Sequence, residues 1–120
     1  MPRHAVLISI GSNSRQSAHV QWASQRLSLL LGDVRLSRVI WTRDVKGTGA
    51  FYMNRLVSGT TTLSVVQIEQ KLKELEAATG RREGTVTLDL DLMQYDGERR
   101  HLRDWPRPYI QQLIGDCALQ

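Results

Sequence analysis

Two carboxylates two positions apart, Asp89 and Asp91, are the residues of this 120-residue chain best suited to chemistry. They lie in the alternating run Thr87-Leu88-Asp89-Leu90-Asp91-Leu92-Met93. In a strand, residues i and i+2 leave the same face with Cα atoms about 6.5–7 Å apart. Carboxylates at that spacing can share divalent cations, and Mg²⁺ favours one or two carboxylates completed by water and phosphate oxygens. The solvated face of a half-buried strand would carry the same pair, although strands are poor in Asp. Glu76 and Arg81 straddle a helix end next to this strand, where an arginine can hold a phosphate or simply offset the helix dipole. Gly11-Ser12-Asn13 forms a turn whose backbone a ligand can approach closely, though turns are rich in these residues anyway. Tyr52 and Asn54 alternate onto one face, giving a stacking surface and an amide that both donates and accepts, or an ordinary exposed sheet face. His4, His19 and His101 show no metal-ligand spacing, and Cys117 has no nucleophile motif around it. Neither a P-loop nor a dinucleotide glycine pattern occurs, so any nucleotide is expected to be held another way.

These residues need elements to position them. Residues 5–10 form a short β-branched run closed by Gly11, which predicts a buried strand. Val20, Ala23, Leu27, Leu30 and Leu31 recur at helical spacing over 17–31, with Gly32 as the expected left-handed cap. Residues 34–42 and 52–63 read as two strands, separated by a loop at Lys46-Gly47-Thr48-Gly49. Ser64 with Gln67 is a capping-box pattern that opens a second helix, in which Val65, Ile68, Leu72 and Leu75 share a face before Gly80 closes it. Residues 86–93 alternate strictly, with Leu88, Leu90 and Leu92 on one face, and Asp96-Gly97 signals a turn. This order predicts an α+β, ferredoxin-like βαββαβ domain: an antiparallel sheet with two helices on one face and the other face available. Residues 98–120 are expected to form a basic loop around Trp105 with one short terminal helix.

The length suits one domain spanning 1–120. Hydrophobic residues at 41% and charged residues at 23% exclude a disordered chain. Sixteen Lys plus Arg against twelve Asp plus Glu leave +4, which favours anionic partners such as phosphates without making a polycationic tail. The single cysteine fits a reducing compartment, and no signal peptide or spanning segment is read, so a cytoplasmic location without membrane contact is expected. Oligomeric state is not legible.

Taken in order, the Gly11-Ser12-Asn13 turn, Phe51-Tyr52-Met53-Asn54, the stretch from Glu76 to Gly80-Arg81 and Thr87-Leu88-Asp89-Leu90-Asp91 resemble the 6-hydroxymethyl-7,8-dihydropterin pyrophosphokinase family of folate biosynthesis. The resemblance covers residues 5–109, and E-x-x-x-x-R followed by T-x-D-x-D is its most specific part. It implies transfer of pyrophosphate from ATP to the pterin hydroxymethyl oxygen, with AMP released. It further implies that Asp89 and Asp91 hold two Mg²⁺ ions and that Arg81, with Arg82, contacts the nucleotide phosphates. Tyr52 would stack on the pterin, Asn54 would bond its edge, Gly11 would line its pocket, and Leu92 would lie near the adenine. The chain departs from the family in two shortened loops. Val86 stands where an arginine is usual, and Tyr109 where the family has a nucleotide-contacting histidine. Two alternatives remain open: a pterin- or nucleotide-binding relative without transfer, and an RNA-binding ferredoxin-like module, which the acidic strand disfavours.

Overall fold

A computed structural model describes residues 2–44, 49–80 and 85–117. Arg81 and Arg82, and Lys46, Gly47 and Thr48 of the expected loop, lie outside the described residues. The first apolar run forms strand β1 (His4–Ser12), buried from Val6 onward. Helix α1 (Gln16–Leu30) turns Val20, Ala23 and Leu27 inward. Gly32 does not cap it: Leu31 leaves the helix already extended and Gly32 opens β2 (Gly32–Leu36).

The strand expected over 34–42 is broken into β2 and β3 (Ile40–Arg43), both paired with the long β4 (Phe51–Thr61). Ser37 explains the interruption. Its side chain accepts from the Leu56 N–H at 2.8 Å and donates to the Arg38 carbonyl at 2.7 Å, so a side chain stands in the ladder where backbone would otherwise pair. Helix α2 (Val65–Ala78) opens on the expected capping box, and Gly80 follows it at φ 69°. Strand β5 (Asp89–Tyr95) starts later than the alternation suggested and turns through Asp96-Gly97 into β6 (Glu98–Arg99).

The strands lie in the order β2-β4-β1-β5-β6, and every paired neighbour is antiparallel. The result is an α+β fold with three helices. Val6, Ile8 and Ile10 of β1 share one sheet face with Val57, Leu90 and Leu92, and pack against Leu27 of α1 and Ile68 and Leu72 of α2. The other face is not left open as expected. Helix α3 (Pro108–Leu113) and the 3₁₀ turn Ile114–Cys117 cover one end of it, with Ile110 and Leu113 packed on Leu7, Leu56 and Met93. No helix among the described residues is long and apolar enough to cross a membrane.

Candidate active site

The uncovered end of that second face is the candidate site, and strand register builds its floor. Asn54, Gly11 and Asp89 form one row across β4, β1 and β5, and Leu56, Ser9 and Asp91 form the next. Neighbouring strands are about 4.8 Å apart, so the amide and the first carboxylate stand two strand spacings from each other with only a glycine between. A methyl group on Gly11 would fill that floor, meeting Asn54 Oδ1 at 3.6 Å and Tyr52 Cδ2 at 3.8 Å. A cleft of about 410 Å³ results, lined by Gly11, Tyr52, Asn54, Asp89 and Asp91 together with Tyr109. Five of the residues singled out from the sequence thus share one cavity.

Hydrogen bonds hold its walls. Asn54 donates from Nδ2 to Thr42 Oγ1 at 2.8 Å, which anchors the amide on β3. Asn13 acts as a clasp rather than an open turn residue: its N–H donates to the Val86 carbonyl at 2.9 Å and its Oδ1 accepts from the Val86 N–H at 2.7 Å. The same side chain reaches Tyr52 Oη at 3.4 Å. Glu76 Oε2 accepts from the Leu90 N–H at 2.9 Å, so the helix grips β5 between its two aspartates. Thr79 and Thr87 hydroxyls meet at 2.6 Å just before β5 begins.

Carboxylates crowd the cleft. Burial, first, and the neighbouring Asp89, second, push the Asp91 carboxyl from 3.8 up to about 6; His101 pulls it down, while Asp104 and Glu76 add to the rise. Burial, followed by the Asp104 carboxylate, raises the Tyr109 phenol above the ordinary value, while Arg107 and Ser9 pull it down. Arg107 forms an ion pair with Asp104 on the rim, Nε to Oδ1 2.8 Å. A carboxylate-rich donor set of this kind fits Mg²⁺, whose charge would relieve the crowding around Asp91. Leu92 sits apart from this cleft, 1% exposed in the helix-side core, at the border of a second cleft of about 290 Å³ that Lys73, Glu76 and His101 also line.

Sequence reasoning missed Thr42, His101, Asp104 and Arg107. No periodic pattern marks them, and the arginines around 99–107 read only as a basic loop.

Strand register, cleft and charge define an α+β protein with a cleft in which carboxylates from one strand face an aromatic and an amide from another. The family model for 7,8-dihydro-6-hydroxymethylpterin-pyrophosphokinase matches residues 7–114, from within β1 to the start of the 3₁₀ turn, and the chain belongs to that family. No curated protein matches the chain at a significant level.

Proposed function

We propose that the protein is a folate-pathway pyrophosphokinase that transfers pyrophosphate from ATP to the hydroxymethyl oxygen of 6-hydroxymethyl-7,8-dihydropterin. The observation that carries this reading is the convergence, in a family-matched chain, of Asp89 and Asp91 with Gly11, Tyr52 and Asn54 on one cleft. Its volume of about 410 Å³ lies within the range of small-ligand sites, about 300–1,000 Å³. The sheet order supports a ferredoxin-like reading of the core, with β3 and β6 as additions at its margins.

In the reaction, the pterin hydroxymethyl oxygen forms a bond to the β-phosphorus of ATP. The bond from that phosphorus to the α,β-bridging oxygen breaks, AMP leaves with that oxygen, and the hydroxyl proton is lost to solvent. Tyr52 stacks on the pterin and Asn54 bonds its edge, so the hydroxymethyl group is turned toward the aspartates. Asp89 and Asp91 would hold two Mg²⁺ ions, which supply charge neutralisation to the phosphates. Arg81 and Arg82 are assigned to the nucleotide phosphates and Leu92 to the adenine side, all three from the resemblance. A cytoplasmic setting agrees with the lone buried thiol of Cys117.

One observation favours a relative that binds without transfer: the cleft wall carries Tyr109 where the family has a nucleotide-contacting histidine. Release of AMP from ATP in the presence of the pterin and Mg²⁺ separates the two. The native protein should turn over, and Asp89→Asn should lose about a hundredfold or more, as removal of a transition-state charge contact does. Pterin binding with no AMP release would leave the binding relative; equal rates for native and Asp89→Asn would remove the metal role.

A further inference from the structure

We propose a further divalent-cation position beside the Asp89/Asp91 pair, formed by Asp91, His101 and Asp104 and suited to a borderline transition ion such as Zn²⁺ or Co²⁺. One ligand atom from each of the three lies within 4.8 Å of the other two. Three ligands bound at about 2.0–2.2 Å stand about 3.3–3.8 Å apart, so these side chains would draw together by about 1 Å onto an ion. The imidazole Nε2 stands 3.9 Å from Asp91 Oδ1, too far for a hydrogen bond and close enough for both to face one ion.

Three features make this more than an acidic cluster. The set is mixed, and an imidazole among carboxylates shifts preference from Mg²⁺ toward Zn²⁺, Co²⁺ or Mn²⁺. The ring nitrogens of His101 make no hydrogen bond among the described residues, so a ligand position is free at no cost in bonding. Asp104 is already held in place by its ion pair with Arg107, whose Nε lies 2.8 Å from its Oδ1, an outer contact of the kind that supports a metal-binding carboxylate. The β5–β6 hairpin and the turn after it bring His101 and Asp104 back over Asp91, an arrangement no local spacing announces. Only Asp91 is shared with the pair that would hold the two Mg²⁺ ions.

That overlap makes the test a double dissociation, independent of whether pyrophosphate transfer occurs. The purified full chain is titrated with Co²⁺ alone, without ATP or pterin, and visible absorption and calorimetry are read. One ion should bind with an imidazole-dependent d–d band. His101→Asn keeps a residue tolerant of the left-handed backbone at φ 52° and removes the imidazole. This variant and Asp104→Asn should each weaken Co²⁺ binding by at least about tenfold, given that even outer-shell losses cost that much. Asp89→Asn, which removes a neighbouring carboxylate but no ligand of this site, should weaken it by less than either of these, and Zn²⁺ should displace Co²⁺. Unaltered Co²⁺ affinity in His101→Asn, or loss in Asp89→Asn alone, would overturn the site. Far-UV circular dichroism on each variant shows whether a loss is one of ligand or of fold.

Discussion

A carboxyl group taken out of water beside other carboxylates keeps its proton to higher pH, and Asp91 does so up to about 6, chiefly through burial and then through Asp89. With a folded value of about 6 against 3.8, the native state binds more protons between the two, so stability falls as pH rises through that window. Above it the full cost of the charge is present. Asp91→Asn should therefore be more stable than the native protein at pH 7.5 in chelator, by an amount on the order of 1 kcal/mol once solvent screening of this partly exposed group is allowed for. The advantage should shrink toward zero below pH 3.8. Urea unfolding across that pH range checks it, and a difference that did not vary with pH would contradict the cause given. A site that destabilises the apo protein is the expected cost of holding charge ready for a cation.

At the scale of elements, α2 connects stability to the site, because its last turn carries Glu76, which grips Leu90 between the two aspartates. Its first turn is fixed by a reciprocal pair: the Gln67 N–H donates to Ser64 Oγ at 3.2 Å and the Ser64 N–H donates to Gln67 Oε1 at 2.9 Å. Ser64→Ala should cost about 1 kcal/mol and lower the melting temperature by about 4 °C. Unchanged thermal unfolding in Ser64→Ala would show that packing alone sets the helix start. This cap was legible because its mechanism is local, three residues apart. The face shared by Asp89 and Asp91 was legible for a similar reason, since a period of two allows no other placement once Leu88, Leu90 and Leu92 face the core. The break at Ser37 was not, because it depends on Leu56 across the sheet. Asp104 and His101 were hidden for the same reason: their nearness to Asp91 is made by a hairpin and a turn, and not by spacing along one element.

For the molecule as a whole, the C-terminal segment decides how much of the sheet a ligand can reach. Composition suggested a solvated basic loop, yet Trp105 is 4% exposed and donates its indole N–H to the Arg100 carbonyl at 2.9 Å and the Met93 carbonyl at 3.2 Å. Met93 lies where the β1–β5 register shifts, and its carbonyl accepts from the Arg100 N–H at 2.8 Å as well as from the indole. Arg99 stacks over the same ring at 4.1 Å while remaining exposed, so one of the basic residues covers the indole from the solvent side. Behind this anchor, Ile110 is fully buried against the sheet and Tyr109, its neighbour in the chain, forms the cleft wall. Ile110→Ala should cost about 2–5 kcal/mol by loss of burial and the cavity left behind. Within a total of about 5–15 kcal/mol that leaves a folded protein, so urea unfolding at fixed pH can measure it. The conservative Ile110→Val should cost about 0.5–1.5 kcal/mol, giving a graded pair. A cost below about 0.5 kcal/mol for Ile110→Ala would mean that the segment is not docked, since an undocked isoleucine loses little when truncated. If it is docked, the wall that carries Tyr109 is part of the core, and the cleft keeps its shape without a ligand to hold it.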